Sequence, residues 1–230
     1  MVIDISFDFR TDAMGRDPDK YSPTLKRYHR LLWSKPLPSG VPFELTDAPG
    51  RYLQHRSNLG EFFLTSDSVI QTFTRLKKTE ALSVQIPKAE NEAFFSLAYT
   101  IGGMIIFPGN RVGGMNTINV DRGFNTAICD RIDVTLECIR RYYDHGESPL
   151  APTLARHADF FNLFNDFHGY VSFFLLDDLV DEDFGVNFFM PFDDFHSSAY
   201  PKDLETYKEY RRRSIDFIEA RNHRIQQLDI

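Results

Sequence analysis

Residues 102–108 read Gly-Gly-Met-Ile-Ile-Phe-Pro, four consecutive apolar side chains held between glycines and a proline. A run this short and this uniformly apolar predicts a strand buried on both faces, the centre of a sheet. Upstream, residues 2–9 (Val-Ile-Asp-Ile-Ser-Phe-Asp-Phe) alternate apolar and polar, which predicts a strand with one buried face. Residues 61–64, 82–86 and 186–192 predict further short strands. Ser22-Pro23 supplies an N-cap and a first-turn proline to a helix carrying Leu25, Tyr28, Leu31 and Leu32, which must end before Pro36. Pro36, Pro38, Gly40 and Pro42 then make a loop. Ser66-Asp67 caps a helix through Val69, Ile70, Phe73 and Leu76, and Asp130 caps another through Ile132, Leu136, Ile139 and Tyr143. Residues 89–99 and 153–165 have helical spacing. Residues 170–180 are nearly all apolar, so periodicity leaves helix and strand open, with helix preferred. The chain closes in a long amphipathic helix from 204 to 228. Helices alternating with short buried strands give an α/β or α+β layer architecture, a central and mostly buried sheet flanked by helices.

The 230 residues suit one globular domain spanning 1–230. No apolar run approaches the roughly 20 residues that a membrane helix needs, so no membrane partner is expected. Two cysteines, Cys129 and Cys138, suffice neither for a disulfide framework nor for a four-thiolate zinc site, and the first residues lack the basic-then-apolar order of a signal peptide. A reducing cytoplasm is the expected compartment. The net charge of −7 argues at first against nucleic acid, whose phosphates call for Lys and Arg. Residues 159–200, however, hold nine acidic side chains, no Lys or Arg, and 11 of the 22 phenylalanines. The rest of the chain is slightly basic. Arginine and lysine cluster at Lys26, Arg27, Arg30 and Lys35, at Arg75, Lys77 and Lys78, at Arg140 and Arg141, and at 211–213, leaving room for a phosphate-facing surface.

The segment most suggestive of chemistry is 107–125, Phe-Pro-Gly-Asn-Arg-Val-Gly-Gly-Met-Asn-Thr-Ile-Asn-Val-Asp-Arg-Gly-Phe-Asn. It follows the most buried strand, and open α/β sheets bind ligands at the C-terminal ends of their strands. Glycines let backbone approach a ligand, Asn reads amide-type hydrogen bonds, Arg meets phosphate, and an Asp can hold and deprotonate a water. The alternative is that Asn and Gly build turns and that 116–120 is a return strand. A second segment, Pro191-Phe192-Asp193-Asp194-Phe195-His196-Ser197-Ser198, offers His196 to a leaving group and two carboxylates to a hard cation; equally, it opens a loop and caps the last helix. The acids of 177–183 read as a solvated face. No dinucleotide or phosphate-loop glycine motif occurs, nor any Gly-x-Ser-x-Gly, so neither a cofactor nor a resident metal is expected.

Whole phrases of the chain resemble a bacterial family of unknown function, DUF6994: residues 28–38 (Tyr-His-Arg-Leu-Leu-Trp-Ser-Lys-Pro-Leu-Pro), 100–108 (Thr-Ile-Gly-Gly-Met-Ile-Ile-Phe-Pro), 130–141 (Asp-Arg-Ile-Asp-Val-Thr-Leu-Glu-Cys-Ile-Arg-Arg) and 217–222 (Phe-Ile-Glu-Ala-Arg-Asn). The chain is also faintly similar to phage-defence DNA glycosylases of the uracil-DNA glycosylase superfamily, which place an Asp or Asn water-handling loop after an early strand and a His-Ser loop after a late one. That similarity implies such a fold, with DNA as partner, a modified cytosine as target base and a role in anti-phage defence. Residues 107–110 with Asp121 match the first loop and His196-Ser197 the second. The expectation is a DNA glycosylase that flips out a base and hydrolyses its N-glycosidic bond. Asp121 would position water, Asn110 would hold the water or the base edge, and His196 would stabilise the departing base. Arg111 and Arg122 would meet phosphate and Phe124 would stack, with Asn116, Asn119 and Ser197 completing the substrate contacts. The rival expectations are a non-catalytic module docking through 159–200, and a metal-dependent nuclease built on Asp193 and Asp194.

Overall fold

The computed structural model describes residues 3–48, 52–74 and 76–228. Along the chain come α1 (Pro18–Tyr21), α2 (Pro23–Trp33), β1 (Lys35–Pro36), β2 (Pro42–Phe43), β3 (Thr46–Asp47), β4 (Leu53–Ser57) and β5 (Gly60–Ser68). Then follow α3 (Glu80–Ser83), α4 (Lys88–Leu97), β6 (Met104–Pro108), α5 (Ile118–Phe124), α6 (Ile132–Tyr143), α7 (Ala151–Arg156), α8 (Ala158–Asn162), α9 (Phe167–Phe173) and α10 (Leu204–Gln226). The fold mixes helix and strand around a four-stranded sheet in the order β3-β4-β5-β6, antiparallel throughout, with β1 and β2 pairing separately where a loop is expected from sequence. The class is therefore α+β. With no parallel strands among the described residues, the rule that places ligands at the C-terminal ends of an open α/β sheet does not apply here. No helix among the described residues is long and apolar enough to cross a membrane.

β6 is buried at all five positions, as its uniform apolar run dictates. It pairs with β5, Leu64 opposite Pro108 and Ser68 opposite Met104. Before it, Gly102 packs so closely on α10 that a Cβ would strike the Asn222 side-chain amide and lie 2.9 Å from the Ile218 carbonyl oxygen. Gly102→Ala is accordingly expected to cost about 1–3 kcal/mol of stability in urea unfolding. α2 starts at Ser22, whose hydroxyl accepts the Leu25 N–H at 3.0 Å, and buries Leu25, Tyr28, His29, Leu32 and Trp33. α10 is capped by Asp203 and buries the stripe Tyr207, Tyr210, Ser214, Phe217, Ile218, Arg221 and Ile225.

Several sequence expectations are corrected. Residues 3–9 form turns, because Asp4 takes the N–H and hydroxyl of Ser6 and Asp8 takes the N–H of Arg10, local bonds that compete with a ladder. Ile3 and Phe9 are still buried; Val2 lies outside the described residues, as does Arg75 of the second basic cluster. Ser66 and Asp67 cap no helix: β5 runs on to Ser68 and the chain beyond is irregular, with Phe73 at φ 60°. Residues 80–83 form one helical turn where 82–86 predicts a strand. Arg131, not Asp130, holds the N-cap position of α6. The 153–165 helix is divided at His157, and the helix in 170–180 stops at Phe173 before Leu175 at φ 55°. Residues 186–192 make no strand beyond one bridge, Val186 to Val180.

Of the 11 phenylalanines in 159–200, Phe160, Phe161, Phe164, Phe167, Phe173, Phe174 and Phe189 are buried in the same contiguous core as Trp33 and β6. Each such side chain contributes about 1.5–3 kcal/mol on burial. Most phenylalanines of this segment therefore serve the core, while Phe184, Phe188, Phe192 and Phe195 are only partly buried against it.

Candidate functional site

The residues of 109–124 are laid along β5 one after another. Gly109 donates to the Phe63 carbonyl at 2.7 Å and the Asn110 side-chain oxygen accepts the Phe63 N–H at 3.0 Å, extending the β5–β6 ladder past Pro108. The chain then projects: Arg111, Val112, Met115 and Asn116 are exposed around a turn in which Gly113 and Gly114 take φ of 61° and 76°, a conformation open to glycine. Thr117 caps α5, so 116–120 is not a return strand. On α5, Asn119 donates to the Thr65 hydroxyl at 3.1 Å and the Ser66 carbonyl at 3.4 Å. Arg122, wholly buried, reaches Asp67 at 2.7 Å, the Thr135 hydroxyl at 3.1 Å, and the carbonyls of Ser68 and Asp130. Phe124, at the end of the helix, is 82 % exposed.

Asp121 faces elsewhere. One oxygen accepts the Asn116 amide at 2.9 Å and the other accepts the Thr153 hydroxyl and, at 3.3 Å, the Arg156 guanidinium. Burial opposes its ionisation, but these three donors outweigh burial and hold the carboxyl below its usual range. Asn116 and Asp121 are thus brought together, tying the projecting turn to α7.

The His196 loop lies at the other end of α5, where the Ala199 N–H meets the Thr126 carbonyl at 2.9 Å. α5 alone spans about 10 Å, with Asn110 before its start and this contact after its end. His196 is exposed and its ring makes no hydrogen bond among the described residues; Ser197 lines a small cavity that includes Asp193 but none of the other glycosylase candidates. Asp194 accepts the N–H groups of His196 and Ser197, closing a turn. Among the described residues no group of three or more His, Cys, Asp or Glu side chains is placed to hold a metal ion.

Two carboxylates absent from the sequence expectations complete the picture. β4 ends opposite Leu64, which leaves Ser66 with a bare backbone edge; N–H and C=O of one strand residue point the same way. Asp19 of α1 accepts the Ser66 N–H at 2.6 Å, while Asn119 takes the Ser66 carbonyl, so a carboxylate and an amide stand side by side on one residue. Asp67 is next along. The Asn119 side-chain oxygen is buried and receives no hydrogen bond among the described residues. Beneath, the His29 ring accepts the Trp33 indole N–H at Nδ1, so its other nitrogen carries the proton and donates to the Ser66 hydroxyl at 2.8 Å. Burial and nearby Arg221 push His29 down to about 3, which makes it a neutral brace and no base.

The family model of DUF6994, a family of unknown function, matches residues 3–225. The chain belongs to DUF6994. No curated protein and no solved structure matches it. What this DUF6994 chain can do rests on its own groups. Burial raises Asp19 to about 7 against the pull of the Ser66 N–H. Burial likewise raises Asp67 to about 6, although Arg122 opposes it. A side chain 27 % exposed and backed by a fully buried guanidinium keeps contact with solvent on one side only. Both carboxyls are thus raised well above the usual carboxylate range, as suits groups that exchange protons near neutral pH.

Proposed function

We propose that the chain hydrolyses the N-glycosidic bond of a base in DNA and leaves an abasic site, with Asp19 and Asp67 as its acid–base pair. The observation that carries this reading is the arrangement along β5, where Asp19 accepts the Ser66 N–H, Asn119 donates to the Ser66 carbonyl and the next residue, Asp67, binds buried Arg122. Cleavage through an oxocarbenium-like state needs a proton for the departing base and a carboxylate for water, and little else. Asp19 donates the proton; Asp67 orients and deprotonates the water. The unbonded Asn119 oxygen lies buried beside these groups, and a modified cytosine of phage DNA is the substrate class we favour. The projecting rim of Arg111, Val112 and Met115 supplies one cation and two exposed apolar side chains, the means to meet a phosphate and wedge a base step, and Phe124 is a further exposed ring at the far end of α5. In this arrangement Asn110, Asn116, Asp121 and Arg122 hold the rim and helix in place, and His196 with Ser197 lies beyond the far end of α5. Of the acids of 177–183, Asp178 binds Arg224 at 2.7 and 2.9 Å, and Asp181 closes a turn on Asp183 and Gly185.

The test is incubation with modified and unmodified duplex DNA followed by alkali. The wild type is expected to yield strand breaks only after alkali, unaffected by chelator, and Asp67→Asn to lower their rate at least about 100-fold. DNA binding without breaks would favour the non-catalytic module, for which the exposed rim is the motivating observation. Breaks without alkali, lost on chelation, would point to the nuclease.

A further inference from the structure

Between the 190–202 loop and the first turn of α10 lies a cavity of about 100 Å³ whose wall includes Arg131, Lys202, Thr206, Tyr200 and the serines 197 and 198. We propose that it binds a tetrahedral oxyanion, either inorganic phosphate or the terminal phosphate of a monoester. This goes beyond the base-removal reading and does not depend on it.

Size decides first. A share of about 30 Å³ per water makes this a chamber for some three waters or one phosphate group, too small for a nucleoside. A mid-strand phosphodiester, carrying sugars on two sides, suits so confined a space less well than a monoester.

The donors come next. Arg131 is almost wholly buried, and three of its five N–H groups are spent, two on Asp133 and one on the Ala199 carbonyl. Asp133 is fixed in turn by the Phe189 N–H at 2.8 Å, so the guanidinium is held rigidly with two N–H groups unspent. Lys202, which makes no ion pair or hydrogen bond among the described residues, brings a cation to the wall with the Asp203 carboxylate as its charged neighbour. The Ser197 and Ser198 hydroxyls add donors, while the N–H and hydroxyl of Thr206 go to the Asp203 carboxylate that caps α10 and the Tyr200 hydroxyl goes to Cys129. Just before Arg131 the backbone takes an uncommon conformation, with Cys129 and Asp130 both at φ 55°. Besides the Asp203 carboxylate that caps α10, one group of the wall opposes an anion: the exposed carboxylate of Asp193. Its presence gives the site a signature that simple loss of structure cannot mimic, because removing it must strengthen binding.

Calorimetric titration of the full chain with inorganic phosphate is expected to show saturable binding, weakened about fivefold to tenfold by Lys202→Gln and strengthened severalfold by Asp193→Asn. Both side chains are at the surface, so the fold is retained, and circular dichroism checks this. A companion arm compares an oligonucleotide carrying a 5′-phosphate with the same strand bearing a 5′-hydroxyl. Preference for the phosphorylated strand assigns the site to monoesters; equal behaviour with phosphate bound assigns it to the free ion. The site is overturned if neither probe is bound in a way that Lys202→Gln weakens and Asp193→Asn strengthens. Neither arm involves removal of a base, so its failure leaves the Asp19–Asp67 reading untouched, and the reverse.

Discussion

Asp19→Asn should make the protein more stable at pH 8 by about 2–3 kcal/mol while abolishing the alkali-labile product. The two effects have one origin. In the unfolded chain this carboxyl titrates near 3.8, and in the folded protein near 7. Below pH 3.8 it is protonated in both states and costs nothing. Between the two values the native state keeps a proton that the unfolded state has lost, so stability falls as pH rises, and above 7 the whole penalty is in force. Asparagine retains an oxygen for the Ser66 N–H without the charge, removing the penalty together with the acid. Urea unfolding of wild type and variant at pH 5 and pH 8 measures it. The wild type should lose stability across that interval and the variant should lose much less, the remainder belonging to Asp67, which titrates near 6. A variant no more stable than wild type at pH 8 would show that Asp19 is not held protonated, and the acid role would go with it. A gain in stability accompanied by lost activity is the behaviour of a group kept in a costly state for chemistry, whereas a purely structural residue would lose both.

How far the sequence discloses this arrangement depends on how local each signal is. β6, α2, α4, α6 and α10 are legible because one uniform run or one 3.6-residue stripe suffices to bury them. The turns of residues 3–9 are not, because Asp4 and Asp8 satisfy backbone groups locally in a segment whose apolar alternation predicts a strand. Ser66-Asp67 looks like a helix cap, yet the edge left bare where β4 stops is filled from α1 and α5, and no neighbouring residue announces that. The candidate site shares this limit. Asn, Gly and Arg mark 107–125 by composition, but Asp19 lies 47 residues from Ser66, and Asp67 lies 55 from Arg122. Only the long, alternating run of β5, read past Leu64, could have placed Asp67 on a strand facing outward from the core.

Arg122→Met should be the most damaging change at the site, costing about 3–5 kcal/mol. The guanidinium joins four groups from three parts of the chain: Asp67 and Ser68 on β5, Asp130 after α5, and Thr135 on α6. Methionine fills much the same volume and donates nothing, so two carbonyls and a half-covered carboxylate lose their partner where water only partly replaces it. Arg122→Lys should fare little better, since one ammonium cannot span a fork that meets a carboxylate, a hydroxyl and two carbonyls in different directions. The loss should depend on pH. Without Arg122 the Asp67 carboxyl rises further above its value near 6, so the variant is closest to wild type at pH 5, where Asp67 can hold a proton, and worst at pH 8. Adding Asp67→Asn to Arg122→Met should restore about 1–2 kcal/mol at pH 8 and almost nothing at pH 5. Unfolding in urea of the two single variants and the double variant at both pH values closes the cycle. Strict additivity at pH 8 would mean that Arg122 braces the backbone alone and leaves Asp67 to ionise by itself, which would take from the proposed base the group that keeps it charged.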